Sequence, residues 1–207
     1  MNRGILTHLA MAAGLLMYAT SAFGQTAGIQ FKTISMSTAG GARPPIGHVR
    51  FCDRHPDECL RRGKATKIKL DKFKWTELLE INHQVNITVH PVTDLEFYRT
   101  EEYWTLPQYY GDCEDYVLLK RRTLIEKGWP SGALLITVVF DENNDGHAIL
   151  IARTDRGDFV LDNKIQTIEP WYATPYRFVK RQSEYDPKRW VSIDDRRHME
   201  EDVASIR

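Results

Sequence analysis

Residues 133–162 hold three apolar, β-branched runs separated only by short polar turns, and this pattern constrains the fold most. The runs are 133–140, 147–153 and 159–162; the turns are 141–146 and 154–158. Connections this short join antiparallel neighbours, because a parallel crossover needs about a dozen residues or more. A fourth stretch, 165–171, is expected to continue the sheet, while 177–190 gives no clear pattern. Two helical stretches come earlier. In 71–89 the apolar positions Trp75, Leu78, Leu79, Val85 and Val89 recur at helical spacing. From Asp112 to about Lys127, Val117, Leu118, Leu124 and Ile125 do the same, until Gly128 and Pro130 stop the helix. Helices first and a meander after them give an α+β class, with one helix N-terminus packed on an antiparallel sheet. No internal repeat interrupts this order.

The first 24 residues read as a secretory signal peptide: Arg3, an apolar centre from Ile5 to Tyr18, and the small-x-small site Ala22-Phe23-Gly24. A retained anchor is the competing reading, but the run is short and broken by Thr7, His8 and Gly14. The expected organisation is therefore a signal at 1–24, an extended arm at 25–47, a domain at 48–193 and a charged, frayed tail at 194–207. The protein is expected in the periplasm or outside the cell. The whole chain carries 28 basic and 28 acidic residues. Such a balance gives no electrostatic case for nucleic acid as a partner. The basic run 61–69 reads as solvated surface.

Export makes the odd cysteine count informative, since an oxidising compartment favours pairing. Cys52 and Cys59 flank a six-residue loop with Pro56 to turn it, and a Cys52–Cys59 disulfide is the natural reading. A metal site from both with His55 lacks a fourth ligand of matching spacing. Cys113 is then left unpaired, in the first turn of the helix that starts at Asp112. Asp112 is the expected N-cap, and the positive helix end is expected to lower the thiol pKa. Downstream, Gly146-His147-Ala148 opens one strand and Leu161-Asp162-Asn163 closes another. A thiol nucleophile needs a base and a group to orient that base, roles that Cys113, His147 and Asp162 would fill. The backbone N–H of Cys113 is the expected oxyanion donor, with a second from the region of Trp104. A hairpin symmetric about Arg156-Gly157 would set His147 near Gln166 rather than Asp162, so a bulge, an earlier turn or a strong twist is required. Asn82 and Asn86, four apart on one helix, are either exposed amides or groups that bind backbone near the cleft.

Glu102-Tyr103-Trp104, Gly111-Asp112-Cys113-Glu114-Asp115-Tyr116, Gly146-His147-Ala148 and Val160-Leu161-Asp162-Asn163 together resemble the bacterial transglutaminase-like cysteine proteinases. The Cys52…Cys59 loop and the Asn82/Asn86 helix are similar to that family as well. The resemblance implies a papain-like core, a Cys113–His147–Asp162 triad and a protein substrate. Its best-known members are periplasmic, calcium-dependent proteases that clip a surface adhesin and are held by a membrane receptor. It also implies Ca²⁺ at the acids beside the nucleophile, Asp112 and Glu114. The residues agree with that implication, because Asp112, Glu114 and Asp115 oppose a thiolate unless a cation reverses their field. The turn Asp141-x-Asn143-x-Asp145-Gly146 is like the first half of an EF-hand loop, with Ala152 where the last ligand would be. It is expected to lend an oxygen to the same site. Two other readings stay open at this level: an acyltransferase or amidase using the same acyl-enzyme, and a non-catalytic binding module.

Overall fold

The structure is a computed structural model that describes residues 35–197. The signal-peptide reading, the first part of the arm and the last ten residues lie outside the described residues. In chain order the elements are β1 (Thr38–Ala42), α1 (Ile46–Arg54), α2 (Lys72–Thr88), β2 (His90–Pro91), α3 (Asp94–Tyr98), β3 (Tyr110–Gly111), α4 (Cys113–Glu126), β4 (Leu134–Phe140), β5 (Gly146–Thr154), β6 (Gly157–Leu161), β7 (Glu169–Pro170), β8 (Arg177–Gln182) and β9 (Trp190–Ile193). Seven of the strands form one sheet in the order β1-β9-β8-β4-β5-β6-β7, antiparallel at every pairing. The class is α+β, as the order of elements implies.

β4 and β5 show little polar alternation because both of their faces are covered. Leu134, Ile136, Leu150 and Ala152 face a core shared with Leu78 and Val85 of α2 and Leu124 of α4. Leu135, Val139, Ile149 and Ile151 face a second core with Met36, Tyr176, Phe178 and Ile193. Burial of this kind is worth about 25 cal/mol per Å² of apolar surface, and it fixes the helices on one side of the sheet.

Local chemistry sets the helix ends. The Asp71 side chain caps α2 by accepting the Lys74 N–H at 2.8 Å. α4 ends where Gly128 takes a φ of +87°, and its N–H and that of Trp129 return to Ile125 and Leu124 carbonyls. Only glycine adopts that left-handed position without strain. Cys52 in α1 and Cys59 in the following 3-10 turn are joined, and Pro56 opens that turn. Among the described residues, no helix is long and apolar enough to cross a membrane.

Two stretches carry more structure than their sequence advertises, and a third carries less than expected. Part of the expected arm, Thr38–Ala42, pairs with β9 at the edge of the sheet. The stretch 177–190 resolves into β8 and the approach to β9. Within 165–171 only Glu169–Pro170 pairs with β6.

Candidate active site

α4 delivers Cys113 to the sheet. Its neighbour Gly111 is required by packing, since a Cβ there would lie 2.7 Å from the Cβ of Asp115. Cys113 is a free, half-buried thiol whose Sγ donates to Glu114 Oε2 at 3.1 Å. Burial pushes this thiol well above its ordinary range, and the charge and hydrogen bond of Glu114 add to the effect; the Ala148 N–H acts the other way. The expectation that a helix start would lower the thiol pKa is therefore corrected. Desolvation and adjacent carboxylates outweigh the helix dipole here. The cap expectation is corrected too. Asp112 stands at the N-cap position but makes no side-chain cap hydrogen bond.

His147 and Asp162 meet across the β5–β6 hairpin. The tight turn closes with Thr154 opposite Gly157, so it turns at Asp155-Arg156, earlier than a turn centred on Arg156-Gly157. Leu150 pairs with Leu161. Continuing that register sets Asp162 level with Ile149 and on the same face as His147, a diagonal neighbour within side-chain reach. His147 Nε2 lies 2.9 Å from Asp162 Oδ1, with both side chains buried. Nδ1 is the ring nitrogen left for another partner.

The Asp162 carboxylate is fully engaged. Oδ1 also accepts the Lys164 N–H at 3.0 Å, and Oδ2 accepts the Tyr176 O–H. Burial alone would push this carboxyl up, but His147, Tyr176 and Lys164 together hold it below its ordinary range. The helix amides bind backbone beneath it: Asn86 Nδ2 donates to the Asp162 carbonyl at 2.8 Å and Asn82 Nδ2 to that of Gln166 at 3.0 Å. The backbone-binding alternative for Asn82 and Asn86 is the correct one.

On the other side of Cys113 the acids crowd. One carboxylate oxygen from each of Asp94, Asp112 and Glu114 lies within 4.8 Å of the others. Burial, then Asp112, pushes Glu114 up to about 9, and burial also raises Asp112 and Asp94. Burial likewise raises Asp115 to about 8, although it accepts the Thr105 N–H. Asp112 Oδ1 is buried and makes no hydrogen bond. The EF-hand-like turn is not part of this group. Asp141 Oδ1 accepts the N–H groups of Asn143 and Asp145, and its Oδ2 is 2.6 Å from Lys164 Nζ, so its oxygens are already engaged.

Cys113, Glu114, Val138, His147, Ala148 and Trp104 share a cavity of about 360 Å³, whose rim carries Glu102 and Lys180. The Trp104 indole N–H donates to Glu102 Oε2 at 3.1 Å, so the ring is held beside the thiol. The structure thus brings His147 to Asp162, sets Cys113 and His147 in one cavity, and groups Asp112 with Glu114. Two residues had no assigned role in the sequence, Asp94 and Tyr176. The only signal for Asp94 was the Thr93-x-x-Glu96 capping box, which sets it in the first turn of α3.

A family model described as bacterial transglutaminase-like cysteine proteinase matches residues 38–198. That match is wider at both ends than the expected domain. No curated protein matches. Solved structures of LapG from Legionella pneumophila are similar. The calcium-bound form is 26% identical with a TM-score of 0.47, over 55% of this chain and 66% of LapG. The EGTA-treated form is 23% identical with a TM-score of 0.49, over 59% and 68%. A third LapG structure is 23% identical with a TM-score of 0.49, over 63% and 75%.

Proposed function

This chain belongs to the bacterial transglutaminase-like cysteine proteinases, and on that premise we propose that it hydrolyses a peptide bond with Cys113 as nucleophile. The observation that carries the residue assignment is the buried His147–Asp162 pair, which leaves His147 Nδ1 free beside the cavity holding the only unpaired cysteine. In this reading His147 takes the thiol proton as Cys113 Sγ adds to the substrate carbonyl. The tetrahedral oxyanion is held by the Cys113 N–H at the head of α4, with a second donor from the region of Trp104, whose own indole N–H is engaged by Glu102. His147 then gives its proton to the leaving amine, and a thioester remains on Cys113. Water, deprotonated by His147, hydrolyses that thioester and restores the thiol. Asp162 holds the imidazole and stabilises its cationic form throughout.

The metal we propose is Ca²⁺, held by Asp112 and Glu114 with Asp94 as a third ligand. The residues fit it. Three hard carboxylates converge, Asp112 keeps a buried oxygen without a hydrogen bond, and Glu114 is ionised only at high pH where it stands. A bound divalent cation would offset the negative field beside Cys113. The domain we propose is 48–193, exported by the signal at 1–24 to the periplasm or beyond. The substrate class proposed from family likeness is a cell-surface adhesin, with a membrane receptor as a second partner.

The test is cleavage of candidate adhesin fragments followed by mass spectrometry, in calcium and in EGTA. Cleavage is expected from the wild type in calcium and from neither Cys113→Ala nor His147→Ala. Products extended by an added amine would favour acyl transfer over hydrolysis.

A further inference from the structure

Tyr176 touches two members of the array at once. Its O–H donates to Asp162 Oδ2, the oxygen that His147 does not use, and its ring stands edge-on to His147 with centroids 5.6 Å apart. Burial, then the Asp162 carboxylate, raises the phenol further from ionisation, so it acts as a donor throughout the working pH range. Tyr176 sits in the connection between the 3-10 turn Trp171–Ala173 and β8. One residue from the expected tail holds that connection. The Arg197 guanidinium donates to the carbonyls of Trp171 and Thr174 at 3.1 Å and of Tyr176 at 2.5 Å. It also pairs with Asp195 at 2.7 Å and lies over the rings of Trp171 and Phe178. Asp195 in turn accepts the Phe178 N–H at 3.0 Å. Three carbonyls from a six-residue stretch and both oxygens of Asp195 converge on this one planar cation, which asks for more donors than the three of an ammonium.

We propose that Tyr176 is a positioning residue for Cys113, His147 and Asp162, and that Arg197 is the staple that fixes where Tyr176 stands. The inference rests on the triad reading above. A carboxylate bound through one oxygen can rotate about its last torsion. With both oxygens engaged it cannot, and the plane of the His147 ring is fixed with it. That plane sets the direction of Nδ1 toward the thiol. Losing the phenol hydroxyl leaves every atom of the triad present and loosens only its aim.

The probe is iodoacetamide, whose reaction with Cys113 reports thiolate formation without a known substrate. Rates are measured across pH on the mature protein in calcium-containing buffer. Tyr176→Phe is expected to slow alkylation at neutral pH about tenfold, by analogy with the low end of what losing an outer hydrogen-bond partner costs at a metal-bound histidine. Asp162→Asn should slow it more, and Asp162→Asn with Tyr176→Phe should be no slower than Asp162→Asn alone, because Tyr176 acts through Asp162. Arg197→Ala should fall in the same direction as Tyr176→Phe, and Arg197→Lys should not rescue it. A Tyr176→Phe rate within about twofold of wild type, or penalties that multiply in the double variant, would overturn the inference. If Asp162→Asn itself reacts like wild type, the triad reading fails and takes this one with it. If Asp162→Asn is slow while Tyr176→Phe is normal, this inference alone fails. Should Tyr176→Phe melt early, Arg197→Lys, which keeps the Tyr176 hydroxyl but loosens its position, carries the same cycle with Asp162→Asn.

Discussion

Two groups of buried carboxylates flank Cys113, and they are solved in opposite ways. Asp162 has hydrogen-bond donors on both oxygens and is held ionised by them. Asp94 accepts the Tyr103 N–H, Asp112 the Asp94 N–H and Glu114 the Cys113 thiol, but the three carboxyls also crowd one another, and burial pushes all three upward. A buried charge is tolerated when the protein itself supplies the donors. A cluster left short of donors is either protonated or made for a cation. The difference divides the labour in our reading: one side aims the base, and the other decides whether the thiol can ionise.

The largest expected effect lies on the satisfied side. Asp162→Asn should lower kcat by ~10⁴, because the amide favours the wrong imidazole tautomer. Peptide cleavage in calcium checks it. A loss under about tenfold would erase the division, since Asp162 would then be no more than a strand-end residue.

On the other side, Glu114→Gln should leave the thiol only partly active and indifferent to calcium. Wild type in EGTA should alkylate on the order of 10²-fold more slowly than in calcium, because burial and the thiol's hydrogen bond to Glu114 hold it protonated when no cation offsets them. Calcium at 100 times its Kd should add about 2.7 kcal/mol of stability, roughly 5–10 °C in Tm for a domain of this size. Calorimetry that finds no binding, together with equal rates in EGTA and calcium, would reduce the acids to a surface feature.

How far the sequence went follows the same divide. His147, Asp162 and Cys113 were legible because strand starts, strand ends and a helix start are marked by local composition. Their spatial match hung on a turn one residue earlier than symmetry suggested, which fixed the diagonal of His147 and Asp162. Asp94 was not legible as a partner of Asp112, 18 residues away. A two-residue parallel pairing, His90 with Tyr110 and Pro91 with Gly111, brings the segments together, and so short a ladder leaves no pattern. Tyr176 and Arg197 sit in stretches with no periodicity, where three carbonyls and not apolar spacing decide the conformation. The strand Thr38–Ala42 is Gly-rich and mostly exposed, so its pairing with β9 comes from the partner's edge and not from its own propensity.

The pH dependence of stability should differ between the two sides. Unfolded Glu114 ionises above about 4.5, whereas in the fold it keeps its proton to about 9. Unfolding therefore releases a proton across that window, and stability should fall as pH rises from about 5 toward 9. Thermal melts in EGTA should show this slope, and Glu114→Gln should flatten it. Asp162 is held below its ordinary value, so its contribution is present above about pH 4 and is lost only on further acidification. A melt series in EGTA that is flat from pH 5 to 8 would mean that the acids are already compensated by the protein.

The smallest effect tests whether Asp162 is satisfied by its own donors alone. Lys120 lies on α4 beneath the site, fully buried, and its Nζ makes no hydrogen bond among the described residues. Burial lowers its pKa to about 7, and the Asp162 charge acts in the opposite direction. An unfolded lysine keeps its proton to about 10.5, so unfolding takes up a proton between about 7 and 10.5 and stability is lost as pH falls through that range. Lys120→Met keeps the length of the side chain and removes the amine. It should raise stability at pH 7 by about 1 kcal/mol, or roughly 2–4 °C in Tm, because an unpaired buried amine is replaced by an apolar group. Its iodoacetamide rate should stay within about twofold of wild type if His147, Lys164 and Tyr176 suffice to hold Asp162. A large drop in that rate, with the melt unchanged or improved, would show that Asp162 depends on a fourth, electrostatic partner. The contrast between a side solved by hydrogen bonds and a side left to a cation would then give way, since both sides would rely on a charge brought from beyond the carboxylate's own contacts.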